Sequence, residues 1–309
     1  MDGSKAIYKE IEKMLPLFPD NSRVAFIGDS ITAANLALPR VIDAYRGRGI
    51  RFYNCGVAGG TAEFAVQIFD TDVKRFMPTH AVVSFGINDS RRDLLAEERS
   101  ADRMNKLIFY YENYKRTMRE LVDKLLEIGA DVTLCTPVPY DEYSDSPEAP
   151  LRGGYSLMLG YAEFVRELAR EKGVRLYDQH SILSRVMAED RIISDDRIHP
   201  SDHGYFVLAR ELLRECGIEI DETPIPERFA EWHSYIARLR QQLAAQCMIV
   251  DHIPGTPEEK MAAMVRKIEN ADWGKPVFER FIRGYVNDKP LEEEMYARID
   301  ELYTEHLMN

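Results

Sequence analysis

A serine and a closely spaced aspartate and histidine are the residues of this chain best suited to nucleophilic chemistry. Ser30 stands in Gly28-Asp29-Ser30, directly after a short apolar run. A serine hydroxyl becomes a strong nucleophile when an adjacent base takes its proton. Asp196 and His199 form a carboxylate and imidazole pair three positions apart, a spacing that one turn of chain can close. A carboxylate on one ring nitrogen would leave the other nitrogen free to accept the Ser30 proton.

Two further blocks offer hydrogen-bond donors for the negative charge that develops in such an attack. The glycine-rich stretch 54–61 allows backbone amides to approach a ligand without an intervening side chain. Asn88 offers a side-chain amide, and one such donor contributes about 2.7–4 kcal/mol to oxyanion stabilisation at comparable sites. Taken singly, each block has a structural explanation as a helix cap or a turn. The prediction of a site therefore depends on their occurring together.

The elements that must position these residues follow from the hydrophobic pattern. Short apolar runs alternate with longer amphipathic stretches, which is typical of a parallel sheet covered by helices on both faces. The pattern predicts strands at 24–27, 51–54, 81–85, 132–136 and 174–177, and helices at 36–46, 62–69, 102–128, 156–172 and 203–215. Open parallel sheets bind ligands beyond the carboxyl ends of their strands. We therefore expect the chemical blocks to converge at that edge.

In their order along the chain, a Ser, a Gly, an Asn and an Asp-x-x-His pair, the blocks resemble the signature of the SGNH or GDSL hydrolase superfamily. The resemblance covers residues 23–215. It implies an α/β fold, namely a flavodoxin-like three-layer α/β/α sandwich with a five-stranded parallel sheet. It also implies a serine esterase that hydrolyses a carboxylic ester through an acyl-enzyme, without a cofactor or a metal ion.

Residue roles follow from the same resemblance. Ser30 corresponds to the nucleophile, His199 to the general base and then acid, and Asp196 to the residue that orients the histidine. The backbone amides of Ser30 and Gly59 and the side chain of Asn88 would form the oxyanion hole. Three neighbours are the alternatives that the sequence leaves open, Gly56 and Gly60 for Gly59 and Asp195 for Asp196.

The resemblance favours removal of a small acyl group, with an acetylated sugar or oligosaccharide as the leading substrate. A lysophospholipase, a thioesterase and a broad arylesterase are the alternatives in the same superfamily. Asp29, Arg91 and Tyr140 are candidate substrate contacts. Tyr140 belongs to a long irregular stretch, 138–155, and such stretches inside a compact domain are often lids or binding loops.

Three other interpretations remain open from the sequence. Asp178 and His180 also follow the fifth predicted strand and form a rival acid and base pair. Asp29, Asp89 and Asp196 could instead serve as oxygen ligands in a metal-dependent phosphate-ester protein. In a third interpretation the chain is a catalytically silent interaction protein.

Composition bounds the remaining possibilities. A net charge of −12 repels the phosphates of nucleic acid, and no apolar stretch reaches the roughly 18 residues of a membrane span. The four cysteines show no disulfide or zinc spacing, and residues 1–20 do not form a secretory leader, so we expect a cytoplasmic protein. Residues 1–216 are predicted to be the catalytic domain. Residues 217–309 are predicted to be an all-helical extension and a candidate surface for pairing two subunits.

Overall fold

The computed structural model describes residues 17–222, except 35–36, 46 and 188–191. The chain divides into two units, Met1–Ile225 and Pro226–Asn309, and every described residue belongs to the first. Most of the predicted helical extension thus lies outside the described residues, and the boundary after residue 216 stays a prediction. In the part of the chain that is described, no helix has both the length and the apolar character needed to cross a membrane.

A five-stranded sheet forms the centre of the described unit. Its strands are β1 (Arg23–Gly28), β2 (Arg51–Gly56), β3 (His80–Ser84), β4 (Asp131–Cys135) and β5 (Arg175–Tyr177). All neighbouring strands are parallel, and their order is β2-β1-β3-β4-β5. This is the flavodoxin-like order of a doubly wound sheet. The five predicted strands and the predicted α/β fold are confirmed.

Seven α-helices accompany the strands in the described residues. They are α1 (Ser30–Ala33), α2 (Leu38–Ala44), α3 (Ala62–Gln67), α4 (Ala101–Glu127), α5 (Gly154–Lys172), α6 (Gln179–Val186) and α7 (Asp202–Arg214). The five helices predicted in this part of the chain are confirmed within a few residues at each end. The pattern did not predict α1 and α6, because one or two turns are too short to show a helical period.

Burial explains why the strands read as apolar runs. In β1, five of the six residues are buried, as expected for a strand covered by helices on both faces. An aromatic cluster of Phe18, Tyr45 and Phe52 packs with ring centroids 5.5 and 5.8 Å from Phe18. A second cluster joins α4 to α5, where the Tyr114 ring lies 4.7 Å from Tyr161 and 5.5 Å from Phe164.

The register of β2, β1 and β3 determines which segments meet at the carboxyl edge. Gly28, at the end of β1, pairs with Gly56 of β2 on one side and with Ser84 of β3 on the other. The segments that follow these strands therefore begin side by side. A Cβ at Gly56 would lie 2.3 Å from the backbone nitrogen of Ala33, so the glycine allows α1 to pack directly against the strand end.

Candidate active site

Ser30 is the first residue of α1 and lies just beyond the carboxyl end of β1. Its Oγ is 2.8 Å from Nε2 of His199, although 169 positions separate the two in sequence. Asp29 caps the helix, since its Oδ1 accepts a hydrogen bond of 2.9 Å from the Ile31 amide. The hydroxyl and the imidazole are therefore held at hydrogen-bonding distance, which is the contact that a serine nucleophile needs from its base.

Asp196 orients the histidine from the other side of the ring. His199 Nδ1 is 2.5 Å from Asp196 Oδ2, and the Ser194 hydroxyl donates to Oδ1 at 2.8 Å. The Ile198 and His199 amides each donate to Oδ1 at 3.0 Å. Burial alone would raise the pKa of Asp196, but these hydrogen bonds lower it to about 2. The ionised carboxylate requires a proton on Nδ1, which leaves the Nε2 lone pair for the Ser30 hydroxyl.

Asp195, the alternative to Asp196, is exposed and is not the carboxylate that meets His199. The turn between Asp195 and His199 is closed by a hydrogen bond of 2.8 Å from the Ser194 amide to the His199 carbonyl. The sequence analysis missed Ser194, because a lone serine two positions before the aspartate carries no recognisable signal.

Among the three candidate glycines that end or follow β2, only Gly59 has an amide without a hydrogen bond in the part of the chain that the structure describes. The Gly56 amide donates to Asn54 Oδ1 at 3.0 Å, and the Gly60 amide donates to the Val57 carbonyl at 2.9 Å. The Gly59 amide makes no such bond among the described residues, and its φ of +76° is a backbone conformation that favours glycine. The geometry therefore favours Gly59 as the oxyanion donor over its two neighbours.

Asn88 follows β3 and is fixed by the same stretch. Its Nδ2 donates one hydrogen to the Gly60 carbonyl at 2.9 Å, which leaves the second hydrogen of the amide for a ligand. The Ser30 amide, at the first position of α1, has no acceptor within the helix. Three donors that the sequence placed in different blocks, those of Ser30, Gly59 and Asn88, thus belong to adjoining segments at one edge of the sheet.

Two buried carboxyl groups lie beneath this edge. Burial raises the pKa of Asp29 to about 6. Burial also raises the pKa of Asp89, to about 7. The hydrogen bond from the Ala62 amide lowers this pKa, and the negative charge of Asp29 raises it further. Asp89 Oδ1 accepts from the Ala62 amide at 2.9 Å, whereas its Oδ2 is buried and has no hydrogen-bond partner among the described residues. Asp89 thereby ties the start of α3 to the segment after β3.

An open cleft of about 580 Å³, within the size range of ligand sites, is bordered by Gly59, Asn88 and Asp196. Its lining residues are Gly59, Thr61, Asn88, Arg91, Arg92, Asp93, Tyr140, Glu148, Ala149, Leu151 and Asp196. Charged and hydrogen-bonding groups dominate this list, and only two aliphatic side chains contribute to it. The cleft therefore suits a polar ligand better than a long hydrocarbon chain.

The candidate substrate contacts have different placements. Arg91 lines the cleft, where Asp93 and the Tyr110 ring hold its guanidinium. Tyr140 also lines the cleft, but it is almost wholly buried and its hydroxyl accepts from the Leu151 amide at 2.9 Å. Asp29 does not line the cleft: it is 2% exposed and caps α1, so its placement gives no support to a substrate contact.

The rival pair Asp178 and His180 is engaged elsewhere. Asp178 caps α6 and accepts two hydrogen bonds of 2.9 Å from Arg166. His180 is 2% exposed, packs against Tyr155, and burial lowers its pKa to about 4. Neither residue makes a described contact with Ser30, so the structure does not bring this pair to the nucleophile.

No group of three or more His, Cys, Asp or Glu side chains among the described residues is arranged to hold a metal ion. Asp29, Asp89 and Asp196 therefore do not form the oxygen-ligand set that the phosphate-ester alternative requires. Asp196 instead uses both carboxylate oxygens on Ser194, Ile198 and His199.

Known proteins resemble this chain over the part that carries the site. The GDSL-like lipase/acylhydrolase family matches residues 26–206, which include every block described above. An acetylxylan esterase from Geobacillus stearothermophilus is 28% identical in an alignment of 218 residues that covers 64% of this chain and 94% of that protein.

Solved structures show the same fold. A variant of an acetylxylan esterase from Geobacillus stearothermophilus superposes with a TM-score of 0.54 at 25% identity, over 67% of this chain and 99% of that one. A gut microbial diltiazem-metabolizing enzyme gives a TM-score of 0.69 at 14% identity, over 95% of this chain and 96% of its own. At that identity the second likeness concerns the fold alone.

Proposed function

This chain belongs to the GDSL-like lipase/acylhydrolase family, and from that membership we infer that it is a carboxylic-ester hydrolase with Ser30 as its nucleophile. One observation carries the assignment of the nucleophile. The hydrogen bonds from Ser30 to His199, at 2.8 Å, and from His199 to Asp196, at 2.5 Å, link the three groups in the order that acyl transfer requires.

In the proposed reaction, Ser30 Oγ attacks the ester carbonyl while His199 Nε2 takes the hydroxyl proton. Asp196 stabilises the positive charge that forms on the ring. The amides of Ser30 and Gly59 and the Asn88 side chain receive the negative charge on the former carbonyl oxygen. The tetrahedral intermediate then breaks its bond to the alcohol, which leaves with the proton from His199. Water repeats the sequence on the acyl-enzyme and releases the acid.

The proposed substrate carries a small acyl group, most simply acetyl, on a carbohydrate-like alcohol. The polar lining of the cleft supports this choice, because hydroxyl-rich ligands need hydrogen-bonding partners and long acyl chains need apolar surface. The similarity to an acetylxylan esterase supports it as well. Arg91 and Tyr140, which both line the cleft, are the proposed contacts to the sugar.

Labelling with a fluorophosphonate probe tests the nucleophile. We expect the native chain to react and the Ser30→Ala and His199→Ala variants to lose labelling, because the first lacks the attacking oxygen and the second its base. His203→Ala is the matched control, since His203 follows in the next helix, α7, and should label like the native chain. An unlabelled native protein would refute the serine mechanism.

A ladder of para-nitrophenyl esters from two to twelve carbons tests the acyl preference. We expect kcat/KM to be highest for acetate and to fall steadily with chain length, because only two aliphatic side chains, those of Ala149 and Leu151, line the cleft. A maximum at the longest chains would favour the lysophospholipase or thioesterase alternative. Release of acetate from an acetylated xylo-oligosaccharide tests whether the enzyme accepts a carbohydrate as the alcohol part of the ester.

We also propose a cytoplasmic location. Cys55, Cys135 and Cys216 form no disulfide among the described residues, which suits a reducing compartment. Pairing of subunits through the helical extension stays a prediction that size-exclusion chromatography with light scattering can test.

A further inference from the structure

Arg197 lies inside the turn that carries Asp196 and His199, yet its side chain is directed into the neighbouring stretch 138–155. It is 3% exposed. Its guanidinium donates to four backbone carbonyls of that stretch, those of Glu148 at 2.7 Å, Asp141 at 2.9 Å, Ser144 at 3.2 Å and Ser146 at 3.5 Å. These contacts link the turn with the acid and base to a segment about 50 positions earlier in the chain.

No carboxylate forms an ion pair with Arg197 among the described residues. A buried charge without hydrogen bonds is strongly unfavourable, so the carbonyl dipoles are its main compensation. The backbone carbonyls of stretch 138–155 also need hydrogen-bond donors. The stretch has no regular secondary structure before Gly154, where α5 begins, so no strand or helix supplies those donors. The guanidinium and the stretch thus stabilise each other.

Two more hydrogen bonds join the same segments. The Asp141 amide donates to the Arg197 carbonyl at 3.0 Å, and the Ser146 hydroxyl donates to the Asp195 carbonyl at 2.6 Å. The far end of the stretch is held by Glu142, whose carboxylate accepts from the Gly153 amide at 2.9 Å. Hydrogen bonds therefore hold the stretch in place at both ends, and we call its residues 140–151 the 140–151 wall.

This wall lines the cleft through Tyr140, Glu148, Ala149 and Leu151. In acyl transfer the histidine donates its proton to the departing alcohol, so the alcohol must lie on the His199 side of the reacting carbon. The wall is attached to the turn that carries His199. It consequently borders the space where the alcohol part of the ester would lie, whereas Gly59 and Asn88 border the carbonyl oxygen.

We propose that Arg197 is a positioning residue for the alcohol side of the substrate: its guanidinium sets the distance between the 140–151 wall and the acid and base turn. The proposal rests on the proposed esterase function. It means that recognition of a large polar alcohol depends on one buried side chain whose hydrogen bonds go to the 138–155 stretch and not to Ser30 or His199.

The main variant is Arg197→Gly. Arg197 has a φ of +68°, which glycine adopts without strain, so this change removes the side chain without disturbing the backbone of the turn. KM for an acetylated xylo-oligosaccharide should rise by about tenfold or more, as for loss of a hydrogen bond to a charged group. KM for para-nitrophenyl acetate, whose small planar alcohol does not need the wall, should change by less than about threefold.

Chemical rescue separates positioning from general stabilisation. Added methylguanidinium should enter the space left in Arg197→Gly and lower KM for the oligosaccharide back toward the native value. Arg197→Lys retains the charge, but one ammonium group cannot reach carbonyls spread over residues 141–148, so KM should stay raised. Arg103→Ala is the matched control: Arg103 is also buried and donates to the Glu97 carbonyl at 2.7 Å, but it lies in α4 and makes no contact with stretch 138–155.

Equal changes of KM for both esters in Arg197→Gly, or an oligosaccharide KM that stays at the native value, would overturn the proposal. If Arg197→Gly does not fold, a native KM for the oligosaccharide in folded Arg197→Lys overturns it in the same way. Fluorophosphonate labelling of the native chain distinguishes this outcome from failure of the proposed function. A labelled native chain with an unshifted variant KM removes only the role of Arg197, whereas an unlabelled native chain removes the esterase assignment.

Discussion

Proton transfer at His199 depends on which ring nitrogen carries hydrogen, and Asp196 determines this. Its carboxylate is held by one hydroxyl and two amides, and the hydrogen bonds that lower its pKa to about 2 keep it ionised at neutral pH. Asp195, one position earlier, is exposed and offers the same chemical group without this environment. Asp195 and Asp196 therefore allow the effect of the surroundings to be measured for two identical side chains.

Asp196→Asn should lower kcat for para-nitrophenyl acetate by about 10³–10⁴-fold, because an amide facing Nδ1 favours the wrong tautomer of the ring. Asp195→Asn should leave kcat unchanged. Steady-state kinetics of the two variants measure the difference. A large loss in Asp195→Asn together with a small one in Asp196→Asn would reverse the assignment.

Gly59 is the second position where one residue decides function. Its φ is +76°, that of Gly129 is +79°, and a Cβ would meet no atom within 4 Å at either position. Alanine should therefore cost each site about 1–2 kcal/mol of unfolding free energy through the left-handed backbone alone. Only Gly59→Ala should also lower kcat, by about tenfold or more, because it displaces an oxyanion donor.

Urea denaturation and kinetics on para-nitrophenyl acetate, applied to both glycine variants, check this prediction. Gly129 follows α4, away from the carboxyl edge, and serves as the control for strain. Equal kcat values in the two variants would mean that the Gly59 amide does not take part in the reaction.

At the scale of elements, the site depends on contacts between the segments that follow β1, β2 and β3. Gly56 lets α1 rest on the end of β2, Asn88 donates to the Gly60 carbonyl, and Asp89 accepts from the first amide of α3. Each contact joins two segments that are distant in sequence. The buried carboxyl of Asp89 gives this junction a dependence on pH.

Asp89→Asn should become more stable relative to the native chain as pH rises. The pKa of Asp89 is raised from 3.8 to about 7, so its contribution to stability is complete below pH 3.8 and is lost as pH rises to about 7. Asparagine has no such loss. We expect the difference in unfolding free energy between variant and native chain to shift toward the variant by about 1 kcal/mol or more between pH 4 and pH 8.

Urea denaturation at the two pH values measures this shift. Asp70→Asn is the control, because its side chain is 72% exposed on the surface. A difference between Asp89→Asn and the native chain that does not change with pH would show that the carboxyl is ionised throughout.

At the scale of the whole molecule, one solved relative matches two thirds of this chain and another matches nearly all of it. The acetylxylan esterase structure is covered over 99% of its length by 67% of this chain, whereas the diltiazem-metabolizing enzyme matches 95% of this chain. Every proposed site residue lies within residues 26–206. We therefore predict that the proposed chemistry does not require the residues beyond 222.

A chain ending at residue 222 should retain kcat for para-nitrophenyl acetate within about threefold of the full chain, because all reacting groups and their supports are present. Kinetics of both chains, with circular dichroism to confirm folding, check this. Loss of activity in a folded truncated chain would place part of the site in residues 223–309.

The sequence alone determined the fold class and the identity of the chemical groups. Apolar runs mark buried parallel strands because both faces of such strands are covered, and Ser30, Asn88 and His199 are recognisable because their residue types and order are rarely combined by chance. Helices α1 and α6 escaped prediction because their one or two turns show no period. The interpretation of Asp29 as a substrate contact lacks support, because a cap and a ligand contact have the same sequence pattern.

Only the tertiary structure favours one neighbour over another for each proposed role. It distinguished Asp196 from Asp195 by hydrogen bonding and Gly59 from Gly56 and Gly60 by which amide is left free. It also revealed Arg197, whose partners are backbone carbonyls. Every residue has a carbonyl, so no sequence pattern can identify such a contact, and its meaning arises only when the chain brings residues 141–148 against the turn that carries His199.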